Sequence, residues 1–443
     1  MGDSGLRRRE FLAAASAGVG AVAGWTGRDL LAGDTVPDQP DAAATWNVER
    51  HGIAGDGSTE VGADVHELLA SVDTEGGGIV YFPPGRYLFE RTPLIGDNTL
   101  LVGAGRPTVF EGVRPDGNEG GALLSNRGYD EPGYAGASNW GVRDVRIDSS
   151  ASNGIMPAHA ENVRLEGLYG DAIYYHHVDA VSSKNVVVDG YQATRGGDGD
   201  SDAPLQFDAQ RDGVQWNGIW DGERIRLVED DDTPTRNCTL RNFRIEPANS
   251  PAYGVQIHRG RHDSITIADG VITGCEFTAI RSDPDEELTD LSVRGVSCLE
   301  NARGITLGHA DDGRRGVTIS DVVIRTDESE VAGGSGLYAA GVDGSAISNV
   351  TVTGEFTNSI MFDDMLDLKM SNVTAEGAED QAFRFRDDVD VTLTTARAAD
   401  CGGAGIYAGP GSNVAYGGVT FDDVGAEVVA DGNLREWSSS SGA

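Results

Sequence analysis

Three short segments decide the fold: SITIADGVI (residues 264–272), DLSVRGV (290–296) and GVTISDVVI (316–324). Each segment alternates apolar and polar residues, which is typical of a β-strand with one buried face and one exposed face. The segments begin 26 residues apart, and glycine, asparagine and aspartate are frequent between such runs, as turns require. Related segments recur on both sides of this stretch, so the sequence predicts a repeated unit of short strands.

Each unit also contains a small residue followed by an apolar one, which we take as the anchor of an inward-facing strand. The apolar anchors are Ile155, Ile173, Leu205, Val255, Ile280, Ile305, Leu337, Ile360, Phe383 and Ile406. Most units of about 23–25 residues then hold two or three strands. Such units predict an all-β protein, a right-handed parallel β-helix whose coils stack roughly 4.8 Å apart. The ten anchors alone predict a rod at least about 43 Å long.

Residues 46–89, WNVERHGIAGDGSTEVGADVHELLASVDTEGGGIVYFPPGRYLF, precede the repeats. They resemble the start of β-helix proteins of the pectate-lyase superfamily in three features: the Gly55-Asp56-Gly57 turn, an amphipathic helix near 63–72, and the Pro83-Pro84-Gly85 turn. Glu60-Val61-Gly62 departs from the usual Asp-Asp-Thr. The helix is expected to cap the open edge of the first coil. The resemblance implies a pectin-lyase-like fold and a polysaccharide partner, but it does not select the chemistry, because the superfamily includes lyases, hydrolases, epimerases and inactive homologues.

The N-terminal stretch RRREFLAAASAGVGAVAG (7–24) resembles a twin-arginine export signal, with Arg8-Arg9 as its arginine pair and Ala21-Val22-Ala23 as a cleavage pattern. Its apolar run is too short to span a bilayer comfortably, so membrane insertion is not expected. We therefore expect a secreted or cell-surface protein. The expected organisation is a signal and linker over 1–40, one β-helix domain over 41–432, and a flexible tail over 433–443.

The chain carries 34 basic and 71 acidic residues, a formal net charge of −37. This imbalance resembles that of halophile proteins, since molar salt shortens the Debye length to about 3 Å and so reduces self-repulsion. No basic stripe is present, so a nucleic-acid partner is not expected. The four cysteines are compatible with a disulfide and equally with buried free thiols. The sequence leaves the oligomeric state open.

Alternation along the anchor strands predicts the outward side chains. Stacking the coils gives one column of Tyr174, Gln206, Gln256 and Arg281, and a second column of His176, Asp208, His258 and Asp283, with His309 near its end. Asp208, His258, Arg281 and Asp283 are the predicted catalytic residues. The other residues named, together with Arg259, are predicted to bind substrate. The alternative is that these columns are solvated polar side chains on the surface of the β-helix with no role in catalysis or binding.

Fifty residues separate the anchors Leu205 and Val255, about twice the usual unit. The insertion carries Trp216 and Trp220, which we predict to contact sugar rings, since long insertions in compact folds are commonly binding loops. Asp198, Asp200 and Asp202 form a D-x-D-x-D pattern that is compatible with calcium but lacks the remainder of an EF-hand. No metal or other cofactor is assigned with certainty.

Three functions remain open from the sequence. In β-elimination of a uronate polymer, Arg281 or Arg259 would neutralise the sugar carboxylate, and His258 or His176 would remove the C5 proton. In inverting hydrolysis, Asp208 and Asp283 would act as acid and base; they are expected two coils, about 9.6 Å, apart, at the upper edge of the roughly 6.5–9.5 Å that the mechanism needs. The third function is non-catalytic glycan binding or a cell-surface scaffold. The cationic cluster on an acidic protein favours the first, with an anionic glycan as substrate.

Overall fold

The computed structural model describes residues 45–113, 121–149, 153–196, 203–209, 218–220, 223–225, 231–282, 287–308, 314–327 and 334–437. These residues form a right-handed parallel β-helix of about 13 turns with little helix, which confirms the predicted fold class. A short 3-10 helix spans Val48–His51 and one α-helix, α1, spans Gly62–Thr74. No helix among these residues is long and apolar enough to cross a membrane.

The first sixteen strands precede the long insertion. They are β1 (Thr45–Asn47), β2 (Asp56–Glu60), β3 (Gly78–Tyr81), β4 (Gly85–Phe89), β5 (Leu94–Ile95), β6 (Thr99–Val102), β7 (Thr108–Gly112), β8 (Ala122–Asn126), β9 (Gly141–Arg143), β10 (Arg146–Ser149), β11 (Asn153–Met156), β12 (Glu161–Glu166), β13 (Tyr169–Ile173), β14 (Val178–Val181), β15 (Lys184–Asp189) and β16 (Gln192–Ala193).

The remaining strands include the insertion and the later coils. They are β17 (Leu205–Asp208), β18 (Gly218–Trp220), β19 (Glu223–Ile225), β20 (Thr235–Ile245), β21 (Tyr253–His258), β22 (Arg261–Thr273), β23 (Thr278–Ser282), β24 (Glu287–Thr289), β25 (Ser292–Leu299), β26 (Ile305–Leu307), β27 (Arg314–Arg315), β28 (Thr318–Thr326), β29 (Ser335–Ala340), β30 (Val342–Asp343), β31 (Ala346–Gly354), β32 (Asn358–Asp363), β33 (Leu368–Glu376), β34 (Gln381–Phe385), β35 (Asp390–Ala408), β36 (Asn413–Ala430) and β37 (Asn433–Glu436).

Parallel pairing between successive coils builds three faces. The anchor face runs through β5, β8, β11, β14, β17, β21, β23, β26, β29, β32 and β34 into the ends of β35 and β36. Its inward residues, such as Val255, Ile280 and Phe383, are fully buried. They join the side chains of the other two faces in one continuous apolar core.

In the later coils the second and third faces share one long strand that bends at a single residue. Asn242, Asp269, Asp321, Asn349 and Asn372 occupy this bend with φ between 53° and 55°. Asparagine and aspartate tolerate the left-handed conformation better than other non-glycine residues, which explains their recurrence between apolar runs. The stacked side chains also bond to one another: Asn349 Nδ2 donates to Asp321 Oδ1 at 2.9 Å, and Asn372 Nδ2 donates to Asn349 Oδ1 at 2.8 Å.

The predicted capping helix and its neighbouring turn are both present. On α1, Val65, Leu69 and Val72 are fully buried within the main core, so the helix covers the open end of the first coils. Pro83 and Pro84 separate β3 from β4, and Tyr87 Oη donates to the Pro83 carbonyl at 3.0 Å. At the other end, β37 pairs with β36, so regular structure continues into the segment expected to be a flexible tail.

The four cysteines are free thiols inside the β-helix, which resolves the alternative that the sequence left open. Burial raises the pKa of the Cys238 and Cys298 thiols to about 12. Because thiolate is the reactive form, these side chains act as small apolar residues of the core.

Replacing Leu69 by alanine tests the capping role of α1. Removing this fully buried side chain leaves a cavity between the helix and the first coils, and we expect the free energy of unfolding to fall by about 2–5 kcal/mol. Denaturant unfolding in molar salt measures the change. Ser71→Ala, at an exposed position of the same helix, is the control and should change stability by less than about 0.5 kcal/mol. Equal, small effects in both variants would contradict the capping role.

Candidate functional site

The anchor face carries two outward columns of polar side chains near the middle of the chain. In the first column, Gln206 on β17 pairs with Gln256 on β21, which pairs with Arg281 on β23. In the second column, Asp208 pairs with His258 on the next coil. These pairings match the alignment predicted from the sequence. Neighbours in a column are one coil apart, about 4.8 Å.

The predicted position of the preceding coil is wrong. The strand paired with β17 is β14, and it places Asp179 beside Gln206 and Val181 beside Asp208. Tyr174 and His176 are therefore not members of the columns. The supposed anchor Ile173 ends β13, which pairs with β10 on another face of the β-helix. Residues 174–177 form the turn between that face and β14.

The spacing of the anchors contains the signal that identifies Asp179. With Ile173 as anchor, the two intervals before Leu205 are 18 and 32 residues, far from the usual unit. With Val178 as anchor, the interval from Ile155 is 23 residues and the interval to Leu205 is 27. The more regular division moves the outward position to Asp179, which the sequence analysis did not include in the site.

Several predicted residues cannot be placed. Asp283 and His309 lie outside the described residues, as do Trp216 and the aspartates of the D-x-D-x-D pattern. Trp220 belongs to the strand β18, which forms a two-stranded antiparallel sheet with β19, and its side chain lies outside the described part of the chain.

Two buried carboxylates share one amide donor. Gln206 Nε2 lies 3.4 Å from Asp179 Oδ1 and 3.2 Å from Asp208 Oδ2, so these two oxygens are at most the sum of the distances, 6.6 Å, apart. Asp179 and Asp208 are each only 1% exposed. Burial raises the pKa of Asp179 to about 7, although the hydrogen bond from Gln206 and the charge of Arg259 oppose the rise. Near neutral pH, the proton-bearing and ionised forms of Asp179 are therefore both populated.

His176 lies close to this cluster although it is not in the predicted column. Its Nδ1 is 2.7 Å from the carbonyl oxygen of Ala203, an acceptor, so Nδ1 carries the proton. The pKa of His176 is lowered to about 4, mainly by burial; the charges of His258 and Arg259 act in the same direction, and the hydrogen bond to the Ala203 carbonyl opposes them. Because so low a pKa makes the imidazole a weak base, His176 is a poor candidate for the group that removes a proton.

Arg281 and Tyr253 form the other end of the site. The guanidinium carbon of Arg281 lies 4.5 Å from the centroid of the Tyr253 ring, and Arg281 Nη1 hydrogen-bonds to Tyr253 Oη. Tyr253 begins the strand that ends at His258. This contact fixes the orientation of Arg281 on the outer surface of the anchor face.

Exposure divides the cluster into two layers. Asp179, Gln206, Asp208 and Gln256 are buried. His258, Arg259 and Arg281 are partly exposed. A ligand on the anchor face would meet imidazole and guanidinium groups first, and the carboxylates would act from below by orienting and polarising them.

No group of three or more histidine, cysteine, aspartate or glutamate side chains within the described ranges is arranged to hold a metal ion.

A long parallel β-helix with little α-helix is the fold of the pectate-lyase-like class of proteins. The model of the rhamnogalacturonase A/epimerase, pectate lyase-like family matches residues 45–276, more than half of the chain. The chain belongs to this family.

Individual relatives are more distant. The chain is 31% identical over 116 residues to mannuronan C5-epimerase AlgE6 of Azotobacter vinelandii, covering 24% of this chain but only 13% of that protein. The A-module of the same epimerase superposes with a TM-score of 0.51 at 14% identity, covering 88% of this chain and 98% of the module. The Streptococcus pneumoniae adhesin PfbA superposes with a TM-score of 0.58 at 14% identity, covering 88% and 100%. These low structural identities establish a shared fold and leave the chemistry open.

The raised pKa of Asp179 predicts a specific dependence of stability on pH. Between about pH 4 and pH 7 the native state holds a proton that the unfolded state has lost, so ionisation opposes folding and the free energy of unfolding falls as pH rises. Asp179→Asn removes the ionisable group and with it this pH-dependent loss of stability. The stability of the variant relative to the wild type should therefore increase across this range, measured by denaturant unfolding at several pH values.

Asp64→Asn, at an exposed position on α1, makes the same substitution away from the site. Its stability relative to the wild type should change little with pH. If the difference in the free energy of unfolding between Asp179→Asn and the wild type were also constant between pH 4 and pH 7, the assignment of a raised pKa to Asp179 would be wrong.

Proposed function

We propose that this protein is an enzyme that acts on an acidic, uronate-containing polysaccharide by removing the C5 proton of a uronate unit, with β-elimination as the reaction. The observation that carries the proposal is the two-layer arrangement, in which partly exposed His258, Arg259 and Arg281 lie above the buried Asp179 and Asp208. Family membership supports a polysaccharide substrate, since the family's description names a rhamnogalacturonase and an epimerase.

The cations support an anionic substrate. The chain carries a formal charge of −37, which repels an acidic polymer unless salt screens it or a local cation attracts it. Arg281 and Arg259 supply positive charge on the outer surface of the site. A guanidinium group that binds the uronate carboxylate would stabilise the negative charge that develops when the adjacent C5 proton is lost.

In the proposed step, the His258 imidazole takes the C5 proton, and the C5–H electron pair forms a double bond between C4 and C5. The C4–O4 bond breaks, and O4 leaves with a proton from an acid group of the site. The products are an unsaturated uronate at a new non-reducing end and a chain with a new reducing end. No water or external oxidant is consumed.

Asp208 and Asp179 would act on this step indirectly, through His258 and the buried amide side chain of Gln206. Asp208 lies beside His258 on the preceding coil, where its negative charge favours the imidazolium formed by proton transfer. Gln206 fixes Asp208 and Asp179 relative to each other. His176, with its pKa lowered to about 4, would serve as a neutral polar neighbour of His258.

Inverting hydrolysis is a second candidate, supported by the pair of carboxylates that share Gln206. Asp179, which retains a proton to about pH 7, would be the acid, and Asp208 would activate water. Because 6.6 Å is an upper bound, the two oxygens lie at or below the lower edge of the roughly 6.5–9.5 Å typical of inverting enzymes, so their separation does not favour hydrolysis. Burial of both groups favours elimination instead, because hydrolysis requires direct contact between these carboxylates and the substrate.

Product analysis separates the candidate functions. The protein would be incubated in high salt with polygalacturonate, rhamnogalacturonan and polymannuronate. We expect new ultraviolet absorbance from an unsaturated uronate. Reducing ends without that absorbance would support hydrolysis, and solvent deuterium at C5 without chain cleavage would support epimerisation. Binding with none of these products would identify a non-catalytic glycan-binding protein and overturn the proposal.

Variants in the first column test the site with a matched control. Arg281→Ala should lower kcat/KM by at least about 100-fold, because it removes the cation that opposes the developing charge. Arg384 lies in the same outward column four strands later, and its guanidinium also lies over a tyrosine, Tyr407, at 5.7 Å. Arg384→Ala should retain activity. His258→Ala and Asp208→Asn should reduce activity as Arg281→Ala does.

The control in each case is folding, measured by circular dichroism in the same buffer. Full activity in folded His258→Ala and Asp208→Asn variants would remove the site assignment.

We also propose that the protein is exported by the twin-arginine route, on the basis of Arg8-Arg9-Glu10-Phe11-Leu12. Substituting both Arg8 and Arg9 by lysine preserves the charge and removes the arginine pair. In a host with this export pathway, the wild-type chain should reach the cell exterior and the double variant should remain inside, measured by immunoblotting of cell fractions. Equal export of the two chains would contradict the proposed route.

A further inference from the structure

Two exposed aromatic rings lie beside the candidate site. Tyr175 and Phe277 are 41% and 42% exposed, and they are the aromatic members of the small group of exposed large apolar side chains in the described part of the chain. Tyr175 lies in the turn before β14, and Phe277 directly precedes β23. Because β14 and β23 are parallel strands of the same face, both rings lie at the same edge of that face.

The strand register places the two rings in line along the helix axis. Val178, Leu205, Val255 and Ile280 pair in succession through β14, β17, β21 and β23. Tyr175 is three residues before Val178, and Phe277 is three residues before Ile280. The two residues thus lie the same number of residues before paired strand positions that are three coils apart, about 14 Å along the axis.

The same four coils carry the site. Asp179 lies on the first coil, Asp208 on the second, His258 on the third and Arg281 on the fourth. The equivalent position on the third coil is Ala252, which is small and buried. An aromatic residue therefore lies at each end of the four coils that carry the candidate catalytic residues.

Backbone hydrogen bonds and ring contacts fix both positions. The amide of Tyr175 donates to Asn153 Oδ1 at 3.2 Å, and the amide of Phe277 donates to the Ala252 carbonyl at 3.1 Å. The Tyr175 ring centroid lies 6.0 Å from that of His176, and the Phe277 centroid lies 6.2 Å from that of Tyr253. The Tyr175 ring packs more closely on Tyr174, with centroids 4.2 Å apart, so each exposed ring lies close to other aromatic side chains beside the candidate site.

We infer that Tyr175 and Phe277 are stacking positions for two sugar units of a single polysaccharide chain that lies parallel to the helix axis, with the reacting unit between them. This inference rests on the proposed function, because it takes the acidic polysaccharide as its ligand. Aromatic rings bind the CH faces of sugars without adding charge, so they attract an anionic polymer to a protein that is itself strongly acidic.

The spacing has a consequence for chain length. A distance of about 14 Å exceeds the length of a disaccharide, so one molecule can contact both rings only if it is longer. Affinity should therefore rise with chain length until both rings are covered and then level off. Removing either ring should abolish the gain from the longer chains.

The test uses size-fractionated oligogalacturonates or oligomannuronates, according to which polymer the wild-type protein processes. Tyr175→Ala and Phe277→Ala should each raise KM for long oligomers by about tenfold, with kcat changed less than twofold. Tyr175→Phe and Phe277→Trp should keep the wild-type KM, since they retain a ring. Leu366→Ala removes an exposed apolar side chain on another part of the surface and is the control.

Binding to the Asp208→Asn variant gives a second readout that does not require turnover. Adding Tyr175→Ala or Phe277→Ala to this variant should reduce affinity for long oligomers and leave disaccharide binding within twofold. If both alanine variants had the same activity and KM as the wild type, the assignment of Tyr175 and Phe277 as stacking positions would be wrong, and the proposed function would be unaffected. Wild-type protein that neither binds nor processes any of the polymers would overturn the proposed function together with this inference.

Discussion

The in-register stacking of parallel strands is the constraint on which the rest of the structure depends. Because paired strands of successive coils keep their register through most of the β-helix, inward residues lie above inward residues and outward residues above outward ones. The inward positions combine into one apolar core. The outward positions combine into columns, and residues far apart in sequence become neighbours at about one coil spacing.

This stacking also concentrates electrostatic effects. Asp179, Gln206 and Gln256 occupy three successive coils of one column and are all buried. Burial of a carboxyl group disfavours its charged form, which is why the pKa of Asp179 rises, and why the shared Gln206 donor matters to both carboxylates. The partly exposed cations lie over this layer, so a repeated architecture with simple geometry produces a site with distinct acidic and basic components.

The bends of the coils show how local sequence and tertiary structure cooperate. Asparagine and aspartate tolerate positive φ, so their recurrence between apolar runs predicts turns. The hydrogen bonds between Asn349 and Asp321 and between Asn372 and Asn349 arise only when the coils stack. The turn residues therefore have a local role that sequence reveals and a second, stabilising role that depends on the neighbouring coil.

The sequence by itself determined the strand period, a capping helix near 63–72, observed over Gly62–Thr74, and the alignment of Gln206, Gln256 and Arg281, because alternation and turn residues act over short distances. Alternation alone left open which short apolar segment follows β11 on the anchor face, and the tertiary structure decided it. Ile173 and Val178 both fit an inward position, and the parallel pairing of β14 with β17 selects Val178. This pairing brings Asp179 into the candidate site. It also leaves His176 in the turn before β14, beside that site. The turn redirects the chain without altering the apolar pattern, so the pattern does not reveal it.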